Sequence, residues 1–282
     1  MMTLTQFLAG VTDACSANDR PSLIVPLQAV ATAVFDQLVR VERERITHLS
    51  HPIRVLKHVC LGLRDQPATP PVELALGLAA ICHDASTVKK KALALVARIQ
   101  DPTRQAEEEY SRRSLRLLHE AEGVVELVKA VIVANQALRS AGNPPIGADS
   151  LEIAARVCAV HDGPSLRSRL SLAPGTAAGE ALAVFVLADG LAMIEHDGGL
   201  TSPIPIGPTV ELWAREEVID QSSVGVQMKS SLKSLKSRLQ AAFGLPKNTG
   251  LSGCFASNPT LADLAVLYAR RWADDLAIDL EI

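Results

Sequence analysis

Aromatic side chains make up only 3% of this 282-residue chain. Alternating runs of β-branched and aromatic residues bounded by tight turns are correspondingly scarce, so strands have little to build on and helices must carry the fold. The five cysteines, Cys15, Cys60, Cys82, Cys158 and Cys254, are widely spaced with no C-x-x-C. That argues against a disulfide framework and against a zinc knuckle, and suits a reduced, cytoplasmic setting. Charge of one sign is not in excess: 28 basic residues face 31 acidic ones, a net charge of -3. The chain therefore has no global field to draw in nucleic acid or an anionic membrane. No stretch reaches the roughly 18 uninterrupted apolar residues of a membrane span, and MMTLTQFLAGVTDACS has no basic leader before a long apolar core. Neither an export signal nor an anchor is expected. No fixed-period repeat and no low-complexity tract is present.

The chain does have apolar surface, at 48% hydrophobic residues, and helical periodicity along most of its length. The pattern predicts helices at about 23–45, 51–65, 72–84, 87–99, 104–119, 122–139, 149–161, 177–196, 208–220, 225–243 and 260–278. Pro and Gly interrupt them at PATPP (67–71), AGNPP (141–145), LAPGT (172–176), GGLTSPIPIGP (198–208) and GLPKNTGLSGCFASNP (244–259). An all-α architecture follows, with an N-terminal helical extension over 1–45, a central helical domain over 46–197, and a C-terminal helical extension over 198–282. Segment 72–84, VELALGLAAICHD, is apolar nearly all round, which marks a helix inside a bundle.

That oily segment ends in His83-Asp84. A carboxylate carried into a core costs several kcal/mol unless a cation or a hydrogen-bond network compensates it. The dipeptide recurs at His161-Asp162 and His196-Asp197, so it is informative only in context. One alternative role for Asp84 is to cap a helix starting near Ser86. Upstream, HPIRVLKHVCLGL opens another amphipathic helix with His51 in its first turn and Pro52 where helices tolerate proline. His58 falls on nearly the same face, and His48 precedes the helix in a loop. A divalent metal uses neutral imidazoles and carboxylates gathered from different helices, and His51, His83 and Asp84 supply three such donors.

A His opening one helix in an H-x-x-R-V run (HPIRV, with Val55), and a His-Asp pair ending another 32 residues later, resemble the HD phosphohydrolase superfamily. The resemblance implies an HD-type helical bundle and a further, distant Asp ligand. Along residues 45–170 the chain is similar to the HD-GYP subfamily. EEEYSRRSLRLL (107–118) looks like its E-x-x-x-H-x-x-x-G-x-x-L-L, with Tyr110 in place of a metal-binding His. VIVANQALRSAGNPP (131–145) looks like its paired-histidine helix end and GYP loop, with Asn135, Gln136 and GNPP at those places. SLEIAARVCAVHD (150–162) looks like its A-A-R-I-x-A-V-x-D run, which makes Asp162 the implied final ligand. The alternative is Asp189 in VFVLADGLAMI, since other HD proteins end on such an A-D; the contiguous block favours Asp162. His161 and His196 are then read as surface or structural residues.

The resemblance thus implies a metal set of His51, His83, Asp84 and Asp162, holding one divalent transition metal (Fe, Mn, Zn or Ni). Tyr, Asn and Gln at three ligand positions make a second metal improbable. The family's H-D-x-G-K reads HDASTVKKK here, so Lys89, Lys90 and Lys91 are candidates for phosphate contact beside Ser86 and Thr87, although three consecutive lysines also describe a solvated face. Two functions are expected: a non-catalytic or weakly active signalling module that binds a nucleotide, a cyclic dinucleotide or a protein partner, and, as the alternative, a one-metal phosphohydrolase acting on a nucleotide or cyclic di-GMP phosphoester with Asp84 as its catalytic residue. Segment 225–243, with Leu232, Leu235, Leu239 and Phe243 on one stripe, reads as a helix packed on the bundle with its basic residues in water. The terminal helix can close the core or make a homodimer, and Trp213 and Trp272 read as core or interface residues.

Overall fold

The computed structural model describes residues 2–43, 48–65, 67–86, 105–161 and 176–197, with Gln240 and 246–248; at 105–119 and at several positions of the last helix it describes the backbone alone. Seven α-helices are described: α1 (Leu4–Ser16), α2 (Ile24–Arg43), α3 (Ser50–Asp65), α4 (Pro70–Cys82), α5 (Gln105–Ser140), α6 (Ala148–Cys158) and α7 (Ala177–Asp197). A short 3-10 turn, Pro21–Leu23, feeds α2. No strand occurs among the described residues, so the fold is all-α. The helices expected at 87–99, 208–220 and 260–278, together with Trp213 and Trp272, lie outside the described residues, as does 225–243 apart from Gln240.

α4 is the axis of the bundle. Val72, Ala75, Leu76, Leu78, Ala79, Ala80, Ile81 and Cys82 are all buried, so the helix has no solvent face along most of its length. It packs against α2, α3, α5, α6 and α7. Its small residues make this crowding feasible. A Cβ at Gly77 would come 2.7 Å from a methyl of Leu27 of α2, so the glycine makes room for that side chain against α4.

Three boundaries differ from the periodicity. α1 is an additional helix, and its start is set by a reciprocal cap: the Gln6 amide donates to Thr3 Oγ1 at 3.2 Å and the Thr3 amide donates to Gln6 Oε1 at 2.9 Å. Its Phe7, Val11 and Cys15 join the same core as α2 and α3. The two helices expected at 104–119 and 122–139 are one, α5, because Glu120 and Ala121 are good helix formers and nothing between them breaks the ladder. Finally, α4 stops at Cys82 and α6 at Cys158, so His83, Asp84 and His161 sit in the turns just beyond helix ends.

The stretch Pro21–Arg43 is long and apolar enough by composition to cross a membrane. Its Leu27, Val30, Ala31, Val34, Leu38 and Val41 form one buried face against the other helices, while Val25 is exposed.

Candidate metal centre

Two helix termini and one helix interior meet at a single point. His51 occupies the first turn of α3, where its amide donates to the His48 carbonyl at 2.8 Å and Pro52 follows without loss of a helical hydrogen bond. His83 caps the end of α4, its amide still bonded to Ala79 O at 2.9 Å. Asp84 is the next residue, and the turn closes through the Ala85 amide to Cys82 O at 3.0 Å. Asp189 comes from α7, which packs along α3 through an apolar face that includes Leu182, Phe185, Val186 and Ala192.

The side chains converge. His51 Nε2 lies 3.2 Å from His83 Nε2 and 3.0 Å from Asp189 Oδ1, and His83 Nε2 lies 3.7 Å from the same oxygen. Asp84 Oδ2 stands 3.7 Å from both imidazole nitrogens. All four residues are buried, from 1% exposed at His83 to 7% at Asp84. Two carboxylates and two imidazoles removed from water require either a shared proton or a cation between them.

A cation fits. An ion bonded at about 2.0–2.1 Å to two donors at tetrahedral angles holds those donors roughly 3.3 Å apart, close to the 3.2 and 3.0 Å observed. The tautomer also suits it. His83 Nδ1 faces the carbonyl oxygens of Ala79 and Ala80, each at 3.2 Å, so that nitrogen is the donor and Nε2 keeps its lone pair toward the common point. His51, His83 and Asp189 thus form a group able to hold one metal ion, with Asp84 at its edge.

The turn bearing His83 and Asp84 is fastened from two sides. Gln37 of α2 donates its side-chain amide to Ala85 O at 3.0 Å. On the other side Ser86, itself fully buried, donates its hydroxyl to the Glu122 carboxylate of α5. Beside that bond α5 approaches so closely that a Cβ on Gly123 would lie 3.0 Å from the His83 carbonyl oxygen. The neighbouring Cys158 thiol is pushed up to about 12, first by burial and then by the negative charge of Asp84; burial raises Cys82 well above the usual thiol range too.

Of the residues singled out in the sequence, His51, His83 and Asp84 come together. Asp162, Thr87 and the Lys89, Lys90, Lys91 cluster lie outside the described residues. Asp189, the alternative final ligand, is in the group. His58 is buried but takes no part in the donor group, and His48 is exposed. Asn135 and Gln136 do not turn to any metal site. Asn135 Oδ1 accepts from the Ile146 amide at 2.7 Å and its Nδ2 donates to Ile146 O at 3.2 Å, while Gln136 is exposed. The helix carries Tyr110 in α5, where the backbone alone is described.

Of the two readings of His161, surface or structural, the surface one does not hold. The residue is 2% exposed, and its ring stands 5.2 Å from that of His83, centroid to centroid, at 87°. Phe185 of α7 completes a cluster of three rings, 5.2 Å from His83 and 6.1 Å from His161. Compared with protein-family models, with curated proteins and with solved structures, the chain has no match.

Proposed function

We propose that this chain is an HD-type helical module that holds one divalent transition metal on His51, His83, Asp84 and Asp189 and works in signalling by binding a nucleotide, a cyclic dinucleotide or a partner protein rather than by turnover. The observation that carries this reading is the convergence of those four side chains, none more than 3.7 Å from His51 Nε2, inside an otherwise apolar core. Imidazole and carboxylate donors in this combination suit Fe, Mn, Zn or Ni. A bound divalent ion supplies Lewis acidity toward an anionic oxygen such as that of a phosphate.

The protein's own groups define the limits of that chemistry. His51 and His83 offer lone pairs, and the Ala79 and Ala80 carbonyls hold the His83 tautomer. Asn135 stands where the resemblance expects a ligand to a further metal, yet both ends of its amide are used on Ile146. That employment, and the exposure of Gln136, favour a single-ion site and a binding role over two-metal hydrolysis.

One distance favours a second reading. Asp84 is farther from His51, at 3.7 Å, than Asp189 is, at 3.0 Å, so it is the carboxylate with freedom to accept a proton from water. In that reading the chain is a one-metal phosphohydrolase with Asp84 as general base.

Elemental analysis of the purified chain, followed by calorimetric titration with cyclic di-GMP and common nucleotides and by a phosphoester hydrolysis panel, separates these readings. The binding module contains about one transition metal per chain, binds a member of the ligand set or a partner protein, and turns nothing over. Release of phosphate or a linear dinucleotide that disappears in Asp84→Ala replaces it with the hydrolase. A chain that can be neither isolated with metal nor loaded with it ends both.

A further inference from the structure

We infer that His161 is a positioning residue for the metal centre, setting the tilt of the His83 ring through edge-on packing that it shares with Phe185. The inference rests on the single-metal reading above.

His83 is held first through its own ring nitrogen. Its Nδ1 faces two carbonyl oxygens, Ala79 and Ala80, at 3.2 Å each. A donor shared between two acceptors at that length selects the tautomer of the ring. Neighbouring rings pack on it as well, His51 at 5.2 Å and 61° among them. His161 stands against that ring at 87° and 5.2 Å, and Phe185 stands against it at 72° and 5.2 Å. Both are edge-to-face arrangements at favourable separations. The two outer rings are themselves 6.1 Å apart at 87°, so each braces the other.

His161 is fixed in turn. Its Nδ1 lies 2.7 Å from the carbonyl oxygen of Cys158, the last residue of α6, and donates its proton there. That bond satisfies one of the carbonyls left open at a helix C-terminus. The purely structural role would end with this cap. The ring packing adds a second role, which depends on the aromatic plane and not on the hydrogen bond, so the two can be separated by substitution.

His161→Phe keeps a ring and loses the cap; His161→Asn keeps a hydrogen-bonding group and loses the ring. Cobalt(II) titration of the full chain, read by its visible absorption bands and by competition with a chelator, gives affinity and coordination geometry without reference to any reaction. The Phe variant is expected to bind Co(II) within about threefold of wild type, with unchanged bands and a lower melting temperature. The Asn variant is expected to bind about 10- to 100-fold more weakly, the range found when groups that orient a metal ligand are removed. Phe185→Leu, which removes the other ring and leaves the cap in place, is expected to weaken binding in the same direction. Equal Co(II) affinity in wild type, the Asn variant and Phe185→Leu overturns the inference and leaves the metal reading intact. A folded wild-type chain that takes up no cobalt overturns both.

Discussion

The end of α4 and the end of α5 both place polar side chains where the resemblance leads one to expect metal ligands, and they use them in opposite ways. At the end of α4, His83 keeps Nδ1 on the carbonyls of its own helix while its Nε2 and the Asp84 carboxylate face His51 and Asp189 on other helices. At the end of α5, Asn135 turns to the backbone and ties the helix to Ile146, eleven residues on. The chain there turns through Gly142 at φ +73°, with the Asn143 amide bonded to Leu138 O at 2.8 Å and the Gly142 amide to Arg139 O at 3.1 Å, which satisfies the last carbonyls of the helix. One terminus contributes to a group able to hold an ion and the other makes a turn. Imidazole can hold its own helix with one nitrogen and face an ion with the other, whereas the short Asn135 amide has both of its polar atoms engaged with one residue.

This contrast can be broken experimentally, and the largest effect is expected at the α4 end. Removing a direct donor, in His83→Ala or Asp189→Ala, is expected to weaken metal binding by about a hundredfold or more, measured by metal content after dialysis against a weak chelator. Retention of one metal per chain in Asp189→Ala would show that α7 is not part of the centre. At the α5 end the signs are reversed. Asn135→Ala leaves both polar groups of Ile146 unpaired and is expected to lower stability by about 1–3 kcal/mol, with metal content unchanged in the same assay. Loss of metal in that variant would erase the distinction between the two termini.

Gly123→Ala probes the place where the two regions touch. The added methyl meets the His83 carbonyl oxygen at 3.0 Å, a backbone atom that cannot rotate away. Overpacking of this kind costs about 1–3 kcal/mol, and the strain should appear in urea unfolding together with a weakened metal affinity. Gly142→Ala serves as its control: it forces a side chain into the left-handed region, at a cost of about 1 kcal/mol, far from the donors, and should leave affinity alone. The smallest effect is a pH dependence. Cys158 keeps its proton in the folded chain up to about 12, whereas an unfolded thiol loses it near 9.0. Its contribution to stability is therefore complete below pH 9 and is lost as pH rises from there toward 12. Cys158→Ala should flatten that decline in a series of thermal melts, and an unaltered slope would remove the thiol from the account.

How much of this could be read from residue order depends on the range of the interaction. α4 was legible because a helix apolar on every side can only be central. His51, His83 and Asp84 were legible because each lies at a helix end that local signals mark, Pro52 for one and the exhaustion of an apolar run for the other. Asp189 was visible only as a carboxylate in the apolar run VFVLADGLAMI. Nothing local says which of several such acids faces a common point, and the contiguous block in front of Asp162 outweighed it. The capping box at Thr3 and Gln6 was a usable signal for α1. The continuity of α5 was equally available, since Glu120 and Ala121 contain no breaker. The part played by His161 had no local signal at all. Its meaning comes from Phe185 on another helix and from the ring it rests against, and neither neighbour is near it in the chain.

The donors belong to three helices that are far apart in sequence, and this gives the bundle a chemical dependence on its surroundings. An ion that binds only the assembled chain adds RT ln(1 + [M]/Kd) to folding free energy. Availability of metal in the medium would then act as a rheostat on how firmly α7 stays docked, Asp189 joining that helix to the centre beside the packing of Phe185 on His83.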